Sequence, residues 1–355
     1  GATYREMGRY EESLTDLNRT IELDPQDSWY FSQRGIIYRQ LSRYEEALTD
    51  LNRAIELKPD HEWAISQRGA TYGEMGRYEE ALTDFNRAIE LKPDYEWAIS
   101  QRGIIYRLLS RYEEALTDFN RAIELKPDYE WAIAQRCIIY RQLSWHEEAL
   151  TDLNRAIELD PQDSWKFAQR GVTYREMGRY EESLTDLNRA IELDPEDSWN
   201  ISQRGITYQK VNRYEEALAD LNRAIELDPQ DGWNFHQIGI LRHLMGDPIW
   251  QPPIDRAIEL FTLDALGTGP VAVNAKGNLF ISSCVMLRLD AADRHLTDFL
   301  NGPISSEFVK EALRDLEELR AVIPSLEEST VIFRNRLLAA AQAIAANTTF
   351  PSLPR

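Results

Sequence analysis

The chain of 355 residues carries 60 acidic against 40 basic side chains, a formal charge of −20. That balance excludes general binding to nucleic acid or anionic membranes, whose recognition needs basic patches that displace counterions. Hydrophobic residues make up 43%, enough for burial, yet no apolar run of about 18 residues is present to span a bilayer. Cys137 and Cys284 form neither a disulfide framework nor a metal spacing, which fits a soluble protein in a reducing cytoplasm.

The first residue, Gly1, falls in the middle of a helical pattern with neither Met nor a signal peptide ahead of it, so the chain reads as a fragment whose upstream domain is missing. From there a glycine returns at one constant step, at Gly1, Gly35, Gly69, Gly103, Gly171, Gly205 and Gly239, with Cys137 standing in once. A proline keeps the same step, at Pro25, Pro59, Pro93, Pro127, Pro161, Pro195 and Pro229. Residues 96–129 show the unit. Its first half carries one helical stripe of Trp97, Gln101, Ile104 and Leu108 and a second of Ile99, Gly103 and Tyr106, so this helix has two neighbours to satisfy. Its second half places Tyr112, Ala115, Leu116, Phe119, Ala122, Ile123 and Leu125 at helical spacing and stops at Pro127.

Ser42, Ser110 and Ser144 each stand three positions before a glutamate (Glu45, Glu113, Glu147), which predicts a capping box at the start of the second helix. Gly8, Gly76, Gly178 and Gly246 at the same place predict a left-handed turn that ends the first helix. Gly103, Ala115 and Ala122 are small because two helices must approach closely there, and Cys137 predicts a sulfur packed against the partner helix. The loops between units fall into two types. Asp24-Pro25-Gln26-Asp27-Ser28 has counterparts at Pro161, Pro195 and Pro229, whereas Lys58-Pro59-Asp60-His61-Glu62 has counterparts at Lys92 and Lys126.

Beyond Gly239 the pattern decays. Asp247-Pro248 and Pro252-Pro253 predict an interrupted second helix, and Gly267 to Gly277 predicts a loop. Leu279, Ser283, Met286, Leu289 and Leu296-Thr297-Asp298-Phe299 then repeat the spacing of Ile99, Gly103, Tyr106, Leu109 and Leu116-Thr117-Asp118-Phe119, which predicts a divergent hairpin. Two further helices, at 305–322 and 325–346, carry apolar stripes that would cover the last exposed face, and Asn347 to Arg355 reads as a loose tail.

The order Ile99-x-x-Arg102-Gly103-x-x-Tyr106, Ala115-x-x-x-Phe119 and Pro127 resembles the tetratricopeptide repeat family, whose 34-residue helix hairpins stack into a solenoid. The resemblance implies an all-α fold of about eighteen helices without a sheet, an α-α solenoid wound as a right-handed superhelix with a helical C-terminal cap. On that basis residues 1–262 are the array (a partial first repeat at 1–27, six complete repeats and a degenerate last one), and 263–355 are the divergent hairpin and cap. Two departures stand out. The tryptophan lies two positions before the family's usual aromatic slot, and Arg102, with Arg34, Arg68, Arg136, Arg170 and Arg204, stands where the family often has leucine. These arginines predict an ion-pair ladder with the acidic second helices.

The resemblance also implies that the first helices line a concave groove, and it places there Trp29, Gln33, Arg39, Trp63, Gln67, Trp97, Gln101, Arg107, Trp131, Gln135, Arg141, Trp165, Gln169, Arg175, Trp199 and Gln203. Apolar area, amide groups and positive charge together suit an extended peptide or partner helix carrying acidic and apolar residues. Each tryptophan can serve either as a ligand contact or as inter-repeat core. The family's carboxylate clamp of lysine and asparagine is not matched, because the corresponding slots hold Ser66, Ser100, Ala134 and Ile104.

Enzyme signatures are absent from the sequence: no phosphate-cradling glycine loop, no nucleophile elbow, and no metal spacing among His61, His146, His236, His243 and His295. No cofactor or metal is expected. The sequence thus points to a protein-binding scaffold, resembling the C-terminal repeat arm of bacterial signal-transduction NTPases of the STAND type. An enzyme with its active site in 263–355 or upstream, and a passive spacer, are the alternatives.

Overall fold

The computed structural model describes residues 9–267, 269–302 and 304–348. The described residues form 20 helices and no strand, the tandem helix hairpins expected of an α-α solenoid. They part into two compact units, residues 1–152 and 153–355.

In the first unit, α1 (Tyr10–Leu23) precedes the hairpins α2 (Ser28–Gln40) with α3 (Tyr44–Leu57), α4 (Glu62–Glu74) with α5 (Tyr78–Leu91), and α6 (Glu96–Leu108) with α7 (Tyr112–Leu125); α8 (Glu130–Gln142) and the start of α9 (His146–Leu159) follow. Second helices are amphipathic in the ordinary sense. In α7, Ala115, Leu116, Phe119, Ala122 and Ile123 are buried while Glu113 and Glu114 stay outside. First helices are buried on more sides, because each packs on its own second helix and on the second helix of the preceding hairpin. The recurring glycine permits the first of these contacts: a Cβ on Gly103 would lie 3.1 Å from Phe119 Cζ. Cys137, which replaces that glycine, is buried, as expected.

The turns correct one expectation. Ser42, Ser110 and Ser144 have φ of 58–59°, the left-handed region that Gly76 occupies at 74°. The Arg43 amide donates to Tyr38 O at 2.8 Å and the Ser42 amide to Arg39 O at 2.9 Å, so the serine closes the C-terminus of α2. The next helix is preceded by Arg43 or Arg111, and no side chain caps it. A serine used for the left-handed turn stands one position too early to cap, so the predicted capping boxes do not form.

The two loop types differ in how the following helix starts. Asp27 accepts the Trp29 amide at 2.8 Å and caps α2. His61, Tyr95 and Tyr129 hold that position in the other type, and no side chain caps α4, α6 or α8. There Lys92 lies over the Tyr95 ring at 4.9 Å, and Lys126 over Tyr129 at 5.1 Å.

The second unit holds the hairpins α10 (Ser164–Glu176) with α11 (Tyr180–Leu193), α12 (Ser198–Lys210) with α13 (Tyr214–Leu227), α14 (Gly232–Leu244) with α15 (Gln251–Asp264), and α16 (Gly269–Val285) with α17 (Leu289–Leu300). Pro252 and Pro253 do not interrupt α15. They sit in its first turn, where the missing N–H has no helical acceptor to lose. The stretch 269–277 is likewise helical and not a loop, since Pro270 falls in the first turn of α16 and Gly277 lies against the Phe299 ring. The divergent hairpin predicted after it is present as α16 and α17.

Last come α18 (Ser306–Val322), the single turn α19 (Leu326–Ser329) and α20 (Val331–Thr348), so the stretch read as one helix at 325–346 is split at Thr330. The predicted tail falls almost wholly outside the described residues. Ile240, Ile254, Phe280, Phe299, Leu316 and Leu337 belong to one continuous buried cluster, in which α18 packs on α16 and α20.

Candidate partner-binding site

The arginine ladder forms, and it is structural. Arg102 donates through Nε and Nη2 to both oxygens of Asp118, at 2.8 and 2.6 Å, and through Nη1 to Asn86 Oδ1 at 2.7 Å. One side chain thereby ties three helices: its own α6, its hairpin partner α7, and α5 of the hairpin before. The same triad returns as Arg34 with Asp50 and Asn18, Arg68 with Asp84 and Asn52, and Arg136 with Asp152 and Asn120. The second unit repeats it with Arg170, Asp186 and Asn154 and with Arg204, Asp220 and Asn188. Hydrogen bonds donated to the aspartate raise the pKa of Arg34, Arg68, Arg102, Arg170 and Arg204 above the ordinary value and keep each one charged. The outward faces of the second helices carry exposed pairs spaced three apart, such as Arg43 with Glu46 and Arg53 with Glu56, so much of their acid is matched locally.

The tryptophans divide. Trp29 and Trp199 are exposed, at 44% and 41%, whereas Trp63, Trp97, Trp131 and Trp165 are half-buried. Trp97 meets Phe85 of the preceding second helix edge-on at 6.4 Å and Tyr95 at 6.0 Å; Trp131 meets Phe119 and Tyr129 at the same distances. The slot is thus packed between hairpins at Trp97 and Trp131 and open to solvent at Trp29 and Trp199.

The glutamines are more enclosed than a ligand-contact role needs. Gln33, Gln67, Gln169 and Gln203 are buried, at 6–9% exposure. Arg39 donates to Gln67 Oε1 at 3.2 Å and pairs with Glu74; Arg175 donates to Gln203 Oε1 at 2.8 Å and to its main-chain oxygen at 3.1 Å. An arginine on the preceding first helix is thus the partner that the pattern within one hairpin does not show. The arginine is missing from this second ladder at two places, Gln209 ahead of Gln237 and Gly73 ahead of Gln101. The position equivalent to Arg39 in the hairpin before Gln101 is Gly73, which brings no side chain, and Ile105 Cδ1 lies 2.9 Å from where its Cβ would be. Gln101 is half-buried and makes no side-chain hydrogen bond among the described residues, and Gln135 Oε1 is buried and accepts no hydrogen bond there. Around these two amides lie half-buried Ile104, Arg107, Ile138 and Arg141, and Leu108 is 44% exposed.

The histidines assemble no metal site: no group of three His, Cys, Asp or Glu side chains among the described residues could hold an ion. His236 is buried with Nδ1 2.9 Å from Ser282 Oγ, and burial pushes its pKa down to about 4, so it is a neutral core residue. His243 packs edge-on to Trp250 at 4.8 Å. Burial pushes the Cys284 thiol up to about 12, the opposite of an activated nucleophile. No helix among the described residues is long and apolar enough to cross a membrane.

Family profiles described as tetratricopeptide repeat match residues 1–60, 26–94, 60–128, 138–163, 166–197 and 202–231. The chain belongs to the tetratricopeptide repeat family. Among solved structures, a tetratricopeptide repeat protein from Parabacteroides merdae is similar at 21% identity and a TM-score of 0.51, over 64% of this chain and 90% of that one. A chain of the Cut9–Hcn1 hetero-tetramer of the APC/C is similar at 16% identity and a TM-score of 0.53, over 64% of this chain and 45% of that one. Both likenesses concern the fold. No curated protein matches the chain.

Within the tetratricopeptide framework, two signals escaped the sequence reading. The asparagines of the ladder, Asn18, Asn52, Asn86, Asn120, Asn154 and Asn188, recur in step with the glycines and were visible as a period without an assigned role. Gly73 was visible as the glycine that breaks the series Arg39, Arg107, Arg141 and Arg175.

Proposed function

We propose that this tetratricopeptide repeat chain is a protein-binding scaffold, and that the first-helix face of α6 and α8 is where an extended segment of a partner docks. The observation that carries the reading is the interruption at Gly73. It leaves the Gln101 amide without a protein partner, next to a Gln135 Oε1 that also accepts nothing, on a face where the equivalent Gln67 and Gln203 are already bonded. A buried acceptor without a partner, such as Gln135 Oε1, costs about 1–3 kcal/mol, a cost that the main chain of a bound segment would relieve, and the half-buried Gln101 amide offers the same segment a second polar contact. Leu108 and Ile104 offer apolar contact beside them, and Arg107 and Arg141 favour acidic residues in the guest. In this reading the array serves as the recognition arm of a larger intracellular signalling protein, with residues 263–355 as its cap.

The test is a peptide selected from a random extended-peptide library against the full chain. Replacing Gln101 and Gln135 together by alanine should weaken its binding at least tenfold, and Gly73→Arg should do the same by supplying the missing partner to Gln101. Binding unchanged in both variants, but lost on replacing Glu79, Glu113 and Glu147 on the second helices, would move the site to the opposite face.

A further inference from the structure

In the second unit a cavity of about 380 Å³ lies between the first helices α12, α14 and α16 and the helix α18 laid against them. That volume is within the range of ligand sites. It exists because α18 does not continue the stack. This helix packs on α16 through the buried Val309, Ala312 and Leu316, and Glu318 accepts a hydrogen bond from Lys210 of α12 at 2.7 Å. Trp199 and Trp233 contribute aromatic walls, and Asp231, Glu311 and Asp315 contribute carboxylates.

The charges do not balance. Asp231 is committed to the start of α14, where it accepts from the Trp233 amide and from Asn234 Nδ2, both at 2.8 Å. Asp315, in contrast, makes no hydrogen bond or ion pair among the described residues, and burial, followed by the neighbouring Glu311, pushes its carboxyl up to about 7. Among the described residues the one cation lining the cavity, Arg314, is 62% exposed and comes no nearer to Glu311 than 3.9 Å. Lys210 is held by Glu318. A half-buried acid that feels Arg314 and Lys210 only from beyond ion-pair distance, a second acid one helical turn before it, and the exposed face of Trp199 together describe a receptor for an organic cation.

We infer that this cavity receives the guanidinium or ammonium group of a basic side chain on a bound protein segment. The inference rests on the reading that the chain binds such segments, but it concerns a different set of residues from α6 and α8. Asp315 and Glu311 supply the counter-charge, Trp199 covers the cation, and Gln203, whose Oε1 is already taken by Arg175, frames one edge.

The experiment titrates the full chain with the peptide acetyl-Ala-Arg-Ala-amide and with its citrulline counterpart, which keeps the shape and removes the charge. Saturable binding of the arginine peptide is expected, at least tenfold tighter than that of the citrulline peptide. Asp315→Asn with Glu311→Gln should weaken it at least tenfold, and Trp199→Ala should weaken it less. Asp315→Asn preserves side-chain volume, so an unchanged or raised melting midpoint shows that the fold is intact. Equal binding of the two peptides, no saturation at millimolar concentration, or full binding by the double variant would each overturn the inference. If the library-selected peptide still binds in those cases, the cavity assignment fails and the docking face on α6 and α8 stands; loss of the latter with arginine binding retained has the opposite meaning.

Discussion

The hairpins of residues 28–125 and the helices of residues 269–348 solve the same burial problem in different ways. In the former, every hairpin repeats the same parts: a glycine under an aromatic or leucine, and an arginine between an aspartate 16 residues ahead and an asparagine 16 residues behind. In the latter, most buried side chains pool in one cluster that also takes in Ile240 and Ile254, Ala275 and Leu279 join a smaller one with Phe261, and ion pairs link residues far apart in sequence, as between Arg336 and Asp293, 43 residues apart. Nearest-neighbour struts make stability a sum over units, whereas a pooled core makes it a property of the whole segment.

The sharpest way to break this comparison is to remove one strut. Asp118→Ala leaves Arg102 partly buried without its counter-ion and should cost about 3 kcal/mol, and amide exchange should accelerate in α6 and α7 while that of α16 to α20 is unchanged. Exchange rising equally everywhere would show that the repeats are as cooperative as the pooled core. Acid should act first where His236 of α14 packs against Ser282 of α16. His236 is held neutral with its pKa lowered to about 4, so the unfolded chain binds the extra proton; stability falls as pH drops from about 6.5 toward 4, by about 3 kcal/mol in all. The helices around Ser282 should therefore lose protection in that window, and His236→Gln should flatten the profile.

A smaller effect is expected from Gly103→Leu, whose side chain must enter space already held by Phe119, at about 1–3 kcal/mol in a thermal melt. The smallest is a gain. Ser110 holds a left-handed turn at φ 58°, so Ser110→Gly should stabilise the hairpin by about 1 kcal/mol, where a true capping serine would have shown a loss.

Much of the array was legible because hairpin boundaries depend on residues within one period: the proline stop, the close-packed glycine and the amphipathic second helix. The Arg102 ladder was legible for the same reason, with both charges recurring in step. Ser110 was misread because Ser-x-x-Glu suits two neighbouring backbone positions, and only the backbone decides which one the serine takes. Gln67 was misread because its partner, Arg39, lies on another helix 28 residues away, outside the hairpin's own pattern. The seat of α18 had no periodic signal at all, since its apolar stripe fits any complementary face.

The triad spacing also bears on how such a chain can change its length. Because Arg34 and Arg102 find an identical asparagine and aspartate at the same two offsets, excision or duplication of any whole repeat unit rejoins every arginine to an equivalent pair. An insertion of another length inside a helix of the array rotates the residues beyond it off the face that the triad uses. Unequal crossing-over between the near-identical units can therefore lengthen or shorten the array by whole hairpins without requiring compensating substitutions.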